Sequence, residues 1–356
     1  DISKTDLSDR PKYVIGHRNH MFLGYPYGQL QSSNTGDPMT YTSSSGLIGM
    51  GAEITGLVSL KGATLAVFCD AKISLLSGTS VTDWKLDPHS TNAGAVAGTL
   101  QENVGDALFL DDRGLTTLSA TNAFGNFLPG VFSSNVSRLL NGYVGRIVAP
   151  ALIKQKYQYR MYMDDGLVLT ASLNDTGTNI TAQTTEFTTS QYDHVVSCIG
   201  IGDTSAGSDT IFFGTADGWV MQEDVGYSFD GQVIDALARL SFSHFKSPST
   251  KKRFRKLVLE VDTDESVTIN FKQAMDLDTA ETSTNLSTTA IGTGAQWESS
   301  EWDTFRWSGP IATEAVAHID GFGKNMSLLI WHSSAIDAPF AVEGMLIHYS
   351  PMGLAR

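Results

Sequence analysis

Apolar and polar residues alternate along most of the chain in short runs, and turns that contain Asp or Gly separate these runs. A two-residue period is typical of strands with one buried face. A unit of three strands joined by short turns occurs four times, and an incomplete copy opens the chain. The middle strands are centred near Phe22, Phe68, Leu110, Met163 and Phe213, at intervals of 46, 42, 53 and 50 residues. That spacing is typical of repeated antiparallel sheets of three or four strands.

The repeat predicts an all-β fold that begins with a β-propeller of about five to six blades over residues 1–246, because radial repetition leaves only short strand edges. The Asp-Gly turns support hairpins, since Gly supplies the positive φ that a tight turn requires. Residues 134–140 predict one short helix, with Ser133 or Ser134 as its N-cap. Residues 237–245 predict a closing strand, although 235–240 also fit a helical turn.

The composition changes near Phe245, where residues 246–251 have the character of a linker. Residues 247–356 then predict a smaller C-terminal β-sandwich-like domain of about six short strands. Residues 254–261 alternate cleanly, which places Phe254, Lys256 and Val258 on one face and Arg255 and Leu257 on the other. Residues 276–296 are polar and rich in Thr, and they predict a long exposed loop.

The chain carries 24 Lys and Arg against 38 Asp and Glu, so its formal net charge is −14. This balance argues against a surface that grips duplex DNA, which needs clustered cations. No apolar run approaches the ~20 residues of a membrane span. Cys69 and Cys198 lie far apart in apolar runs, and we predict two buried, reduced thiols, as in a protein that folds in a cytoplasm.

The ionisable side chains suggest no reaction. His17 and His20 predict an exposed turn, whereas His318, His332 and His348 lie on separate strands that could converge. The pairs Asp111–Asp112 and Asp164–Asp165 could serve glycoside hydrolysis, but Asp also favours such turns by bonding the local backbone, and we prefer that interpretation. Residues 262–265 and 276–278 are rich in carboxylates without the full calcium-loop pattern. We predict a protein that is not an enzyme, with no catalytic residue, cofactor or resident metal.

One segment is strongly basic, and it predicts an electrostatic patch that faces another subunit or domain, an anion, or solvent at a protected strand edge. Its members are Lys251, Lys252, Arg253, Arg255 and Lys256.

Several segments, in order, resemble the β-propeller tail-nozzle or tail-tubular proteins of short-tailed bacteriophages. Residues 13–24 resemble that family's first strand pair, and Gly36-Asp37-Pro38 resembles its Gly-Asp-Pro turn. Residues 54–78 and 105–115 resemble two successive blades, with 134–140 as the helix that follows. Residues 254–260 and 348–356 resemble the entry strand and the closing segment of the C-terminal module.

The resemblance implies a structural virion protein, assembled in the host cytoplasm, that forms part of the tail channel for genome ejection. It implies a homo-oligomer, a hexameric ring with head-to-tail contacts. Its partners would be adaptor and fibre or needle proteins, and double-stranded DNA would pass without specific binding. We expect residues 29–45 and 276–296 at the ring contacts. The alternative is a carbohydrate-binding or carbohydrate-active propeller, although the repeated Asp-box of sialidase-like propellers is missing.

Overall fold

The structure, a computed structural model, describes residues 10–41, 47–60, 64–103, 105–124, 131–173, 185–203, 209–263, 265–277, 285–290 and 313–354. The chain divides into two compact units, Asp1–Asp224 and Val225–Arg356. This division falls before the boundary at 246/247 that the composition suggested. Each unit is described by itself below.

Within its described residues, the first unit contains five antiparallel sheets that follow one another along the chain. In each sheet the strands pair with their neighbours in sequence. The first two sheets contain β1 (Tyr13–His17), β2 (His20–Tyr25), β3 (Gln29–Ser32) and β4 (Leu47–Gly49), then β5 (Ile54–Leu60), β6 (Thr64–Cys69), β7 (Ile73–Ser77) and β8 (Lys85–Ser90). The third contains β9 (Gln101–Asn103), β10 (Asp106–Asp111) and β11 (Gly114–Thr117). The fourth and fifth contain β12 (Ile147–Ile153), β13 (Gln158–Met163), β14 (Leu167–Leu173) and β15 (Thr185–Gln191), then β16 (Val196–Asp203), β17 (Asp209–Thr215) and β18 (Val220–Gln222).

The sheets stack face to face, and a hydrophobic cluster lies between each consecutive pair. Phe22 of the first sheet shares a cluster with Val67 of the second, and Phe68 shares the next cluster with Phe109 of the third. The fourth sheet shares clusters with the third and the fifth in the same way. The first strands β1, β5, β9, β12 and β16 also contact one another in that order. Inner sheets therefore bury both faces, which explains their nearly continuous apolar strands.

The predicted strand centres are confirmed, since Phe22, Phe68, Leu110, Met163 and Phe213 all lie on the second strand of a sheet. The turn after β13 also has the predicted chemistry. Its Gly166 has φ +83°, and a Cβ there would lie 2.7 Å from the Tyr192 carbonyl oxygen. We infer that the close backbone approach requires glycine at this position.

Two short helices follow the third sheet, α1 (Leu118–Phe124) and α2 (Ser137–Tyr143), with a 3₁₀ turn at Ser134–Val136 before α2. The sequence predicted the second helix and missed the first. Ser133 occupies the N-cap position of the 3₁₀ turn, as one of the two predicted candidates, but its side chain makes no capping hydrogen bond. Its hydroxyl oxygen instead accepts from the Leu115 backbone N–H at 2.8 Å.

The second unit contains two sheets that share one hydrophobic core. One has the strand order β19 (Ile234–Arg239), β24 (Met326–Ser334), β21 (Val267–Met275) and β22 (Leu286–Ala290). The other has the order β23 (Thr313–Gly323), β20 (Thr250–Thr263) and β25 (Phe340–Leu354). Leu257 and Leu259 of β20 meet Ile269 and Phe271 of β21 in this core.

Two local predictions in the C-terminal half were wrong. Residues 235–240 form neither a helical turn nor a strand of the first unit, since β19 pairs with β24. The segment 276–296 is not one exposed loop, because β22 lies within it and pairs with β21. Most of the rest of that segment lies outside the described residues.

Candidate functional site

The basic segment lies on β20, where alternation separates its members. Lys252 is fully buried, while Arg253 and Arg255 are exposed. The Lys252 ammonium donates to three backbone carbonyls, those of Ser247 at 2.6 Å, Thr250 at 3.1 Å and Lys324 at 3.0 Å. Burial lowers the pKa of Lys252. This lysine ties three chain segments together, and it does not contribute to a surface patch.

The exposed members of the segment contact their own sheet. The Lys251 ammonium lies 4.4 Å from the centre of the Phe322 ring. An Arg253 nitrogen is 3.5 Å from an Asp320 carboxylate oxygen. Arg255 donates to the Ser350 hydroxyl at 3.0 Å. Such exposed contacts contribute little to stability, about 0–1 kcal/mol each.

A bulge in β20 changes the alternation that the sequence predicted. The pairing of β20 with both neighbours shifts between Phe254 and Lys256. Phe254 therefore joins Leu257 in the core, whereas strict alternation placed them on opposite faces. A bulge adds one unpaired residue and so inverts the face of everything beyond it. Arg255 occupies the extra position and is exposed.

Beyond the bulge, the face of this sheet that points away from the core is striped. We call it the striped face. Its basic row contains Lys256 with His318 and His348 as its paired neighbours, and its acidic row contains Glu260 and Glu314 beside Gly344. Between them lies an apolar row of Val258, Val316 and Leu346, which are 3%, 41% and 50% exposed. His318 and His348 thus converge as the sequence allowed, whereas His332 lies in the other sheet and contacts Asp337 at 2.8 Å.

The paired carboxylates at the turns bind local groups. Arg146 donates to Asp164 at 2.7 Å and to Asp165 at 3.0 Å, and Arg113 lies 3.4 Å from Asp112. Asp111 is 7% exposed and accepts from the Gly94 backbone N–H at 3.3 Å. These contacts account for the carboxylates as structural groups, in line with the turn interpretation.

Burial raises the pKa of Asp111 to about 6, and the neighbouring Asp112 charge adds to the effect. Because the folded-state pKa exceeds that of the unfolded chain, ~3.9, the native state binds more protons between these values. Stability should therefore fall as the pH rises from about 4 to about 6.

We expect Asp111→Asn to stabilise the protein above pH 6 by about 1–2 kcal/mol, since one pKa unit corresponds to 1.36 kcal/mol and local relaxation reduces the effect. The asparagine oxygen can still accept from Gly94. Thermal unfolding at pH 4, 5, 6 and 8 checks this, with Asp217→Asn as the control, because Asp217 is exposed in the turn between β17 and β18. An equal gain at every pH would contradict it.

The histidines and cysteines depart from their predicted exposure. His17 and His20 are buried, at 8% and 3% exposure, and not on an exposed turn. The His20 Nδ1–H donates to the Ser33 carbonyl at 2.7 Å, and its ring packs 5.1 Å from the Trp84 ring. Cys69 is buried as predicted, and the prediction for Cys198 is wrong because that thiol is exposed. Among the described residues, no group of three or more His, Cys, Asp or Glu side chains could hold a metal ion.

A buried polar cluster joins the fourth sheet to the segment after β18, and the sequence analysis missed it. Arg160 lies 2.8 Å from a Glu223 oxygen, with side-chain exposures of 9% and 4%. Tyr162 donates to Glu223 at 2.5 Å, and the Tyr192 hydroxyl donates to the other oxygen. Arg160 also donates to both Asp224 oxygens at 3.1 Å.

Every group of this buried cluster has a partner, so the cluster is a structural lock. Burial raises the pKa of Tyr162 and Tyr192, so both remain hydroxyl donors. Burial also opposes ionisation of Asp224, but hydrogen bonds from Arg160 and Lys156 lower its pKa overall. A sequence feature points to the lock, because no Lys or Arg occurs between Arg160 and Arg239 while acidic residues abound there. Lys156 and Arg160 are the last cations before this acidic stretch.

Comparisons with known proteins found no matching family model and no matching curated protein. Solved structures with limited likeness include the β-propeller domain of Cps50 (Swd1) from Myceliophteria_thermophila, at 10% identity and a TM-score of 0.38, covering 60% of this chain and 70% of that one. Streptogramin B lyase has 12% identity and a TM-score of 0.35, and the match covers 62% of this chain and 71% of that one. The designed protein Ika8 has 16% identity and a TM-score of 0.37. The match covers 60% of this chain and 57% of Ika8, so this chain spans little more than half of that protein. The architecture therefore rests on the strand order and register of this chain.

No helix among the described residues is long and apolar enough to cross a membrane.

Proposed function

We propose that this chain is a structural protein of a bacteriophage tail, a ring-forming nozzle or tube component of the channel for genome ejection. The observation that carries the proposal is that the tail-nozzle motifs fall, in order, on successive structural elements. Residues 13–24 fall on β1 and β2, residues 54–78 on β5 to β7, and residues 105–115 on β10 and β11. Residues 134–140 fall on the 3₁₀ turn and α2, and residues 254–260 on β20.

The proposal includes a β-propeller in the first unit. Support comes from the five stacked sheets, whose first strands lie side by side as the inner strands of blades do. The outward faces of the first and fifth sheets carry exposed apolar residues, which a closing blade would cover. These are Val14, Leu47, Phe212 and Val220, at 62%, 46%, 43% and 74% exposure. A propeller of about six blades would cover the outward faces of both the first and the fifth sheet.

The structural contacts of the carboxylates also support a protein without hydrolytic activity. Asp164 and Asp165 are engaged by Arg146, and Asp111 is buried against the Gly94 backbone. We expect no turnover of common polysaccharides or nucleic acids by the purified chain. Turnover that disappears in Asp111→Asn or Asp165→Asn would instead support the carbohydrate-active alternative.

Native mass spectrometry and particle imaging of the purified full chain test the assembly. We expect a closed ring of identical subunits, six by the resemblance, because head-to-tail interfaces close into rings. In a phage particle the ring would lie on the tail axis. A chain that remains monomeric under all conditions and binds glycans on an array would overturn the proposal.

A further inference from the structure

The striped face of the second unit has opposite charges at its two ends and an exposed apolar row in the middle. We propose that it binds the striped face of a second copy of this chain, related by a two-fold axis that runs along the apolar row. The inference goes beyond the tail proposal, because it concerns one sheet of the C-terminal unit and requires neither a ring nor a propeller.

The two-fold axis follows from the register. A rotation about the apolar row turns one sheet over and reverses its strand direction, so each strand faces its own copy. Lys256 then faces Glu260 of the second copy, and His318 faces Glu314 of the second copy, because these pairs lie equally far on either side of Val258 and Val316. An axis along the strands would place like charges opposite each other. The register thus selects one orientation.

The apolar row supplies the centre of the contact. Val258 is buried, whereas Val316 and Leu346 remain 41% and 50% exposed. In the proposed orientation each of these side chains meets its own copy, which removes both exposed residues from water. Sheets that pack face to face lie ~10 Å apart, a distance that such side chains bridge.

The charged rows explain why the partner is a second copy. Within the described part of the chain, Lys256, Glu260 and Glu314 form no ion pair with one another or with another described residue. Lys256 and Glu260 are four residues apart on one strand, ~13 Å, too far for contact within one chain. Only a partner with the reversed order of rows satisfies both ends, and the second copy carries that order by symmetry.

The size of the contact sets its strength. Three strands spaced ~4.8 Å apart and three rows spaced ~7 Å apart cover only a few hundred Å² per copy. Stable interfaces bury ~800 Å² per partner. We therefore expect a weak dimer, with a dissociation constant in the micromolar range or above, that salt weakens by screening the charged rows.

Charge reversal tests the contact in the full chain by sedimentation velocity over a concentration series. Either single variant, Lys256→Glu or Glu260→Lys, places like charges opposite each other at two positions of the dimer. We expect each single variant to weaken self-association at least about tenfold. In an equal mixture of the two variants, a dimer that contains one chain of each places a Glu opposite a Lys at both charged contacts. A dimer of the double variant does the same. We expect both to recover association to within about threefold of the unmodified chain.

A zero-length carbodiimide cross-link provides a second measurement, which also works where two rings meet through this face. Mixed ¹⁴N- and ¹⁵N-labelled chains should give a Lys256–Glu260 cross-linked peptide that contains one label of each kind. Lys154→Glu is the matched control, because it makes the same charge change on an exposed turn of the first unit and should leave association unchanged.

Specific outcomes overturn the inference. It is wrong if the unmodified chain gives no mixed-label peptide, or if the mixture of charge variants associates no better than each variant alone. Leu346→Asp should also abolish the cross-link while circular dichroism stays unchanged. A ring that forms normally in all these variants would leave the tail proposal intact and would still contradict the two-fold contact if the cross-link were missing.

Discussion

Replacement of Arg160 by methionine is expected to lower the free energy of unfolding of the first unit by about 3–5 kcal/mol. Arg160 binds Glu223 and shares Asp224 with Lys156, and its side chain is only 9% exposed. Removing one member of a buried pair leaves uncompensated charge in a poorly solvated site, and that penalty is large. The loss should concentrate in the fourth and fifth sheets, which the lock connects.

Arg146→Met is the matched control for Arg160→Met. Arg146 also binds two adjacent carboxylates, Asp164 and Asp165, but its side chain is 42% exposed. Solvent screens that contact, so its loss should cost far less stability than the loss of the buried Arg160.

The measurement is urea unfolding, followed by hydrogen exchange of peptides from β13 and β18 of the first unit and from β20 of the second, so that the two units are resolved. Two compact units need not unfold in one transition, and a single global midpoint would mix them. Similar losses in the two variants would contradict the distinction between a buried lock and a surface contact.

Local chemistry explains why the sheets could be predicted. Each middle strand is a short apolar run bounded by a turn whose Asp and Gly residues have strong backbone preferences. Phe68 and Met163 lie in such runs, and both were correctly placed. These preferences act within a few residues, so a sequence displays them without knowledge of the rest of the fold.

Tertiary contacts explain most of what the sequence analysis missed. The burial of His20 depends on Ser33 and Trp84, which are distant in sequence. Ser133 has a typical capping side chain, yet it bonds Leu115 of the preceding strand instead. The buried lock joins Arg160 to Glu223 across 63 positions of sequence. Spacing along the chain contains no direct sign of such partners.

The bulge at Arg255 explains why strict alternation failed to predict the faces of the basic segment. Strict alternation placed Phe254 with Lys256 and Val258, whereas a single extra residue put Phe254 on the core face with Leu257 and left Lys256 and Val258 on the opposite face. Alternation predicts faces only as far as the next irregularity, because the side-chain period of a strand is two. Lys256 thereby belongs to the striped face, whereas Lys252 lies on the buried side of the same strand.

Replacement of Lys252 by methionine is expected to lower the free energy of unfolding of the second unit by about 2–4 kcal/mol. Methionine matches the length of the buried stem but cannot donate to the carbonyls of Ser247, Thr250 and Lys324. Hydrogen bonds from a charged donor contribute more than neutral ones, and acceptors left buried without a donor carry a desolvation cost. The stem's own packing is largely retained, which limits the loss.

The adjacent Lys251→Met is the control for Lys252→Met. It removes the same charge from the same strand, but its ammonium contacts the Phe322 ring at 4.4 Å, a contact worth about 0.5–1 kcal/mol near the surface. Urea unfolding with hydrogen exchange of β20 peptides compares the two variants. If both lose the same stability, the basic segment acts through its net charge. A loss confined to Lys252 means that one buried ammonium fastens the start of β20 to the turn after β23, and that the surface role of the segment belongs to its other members.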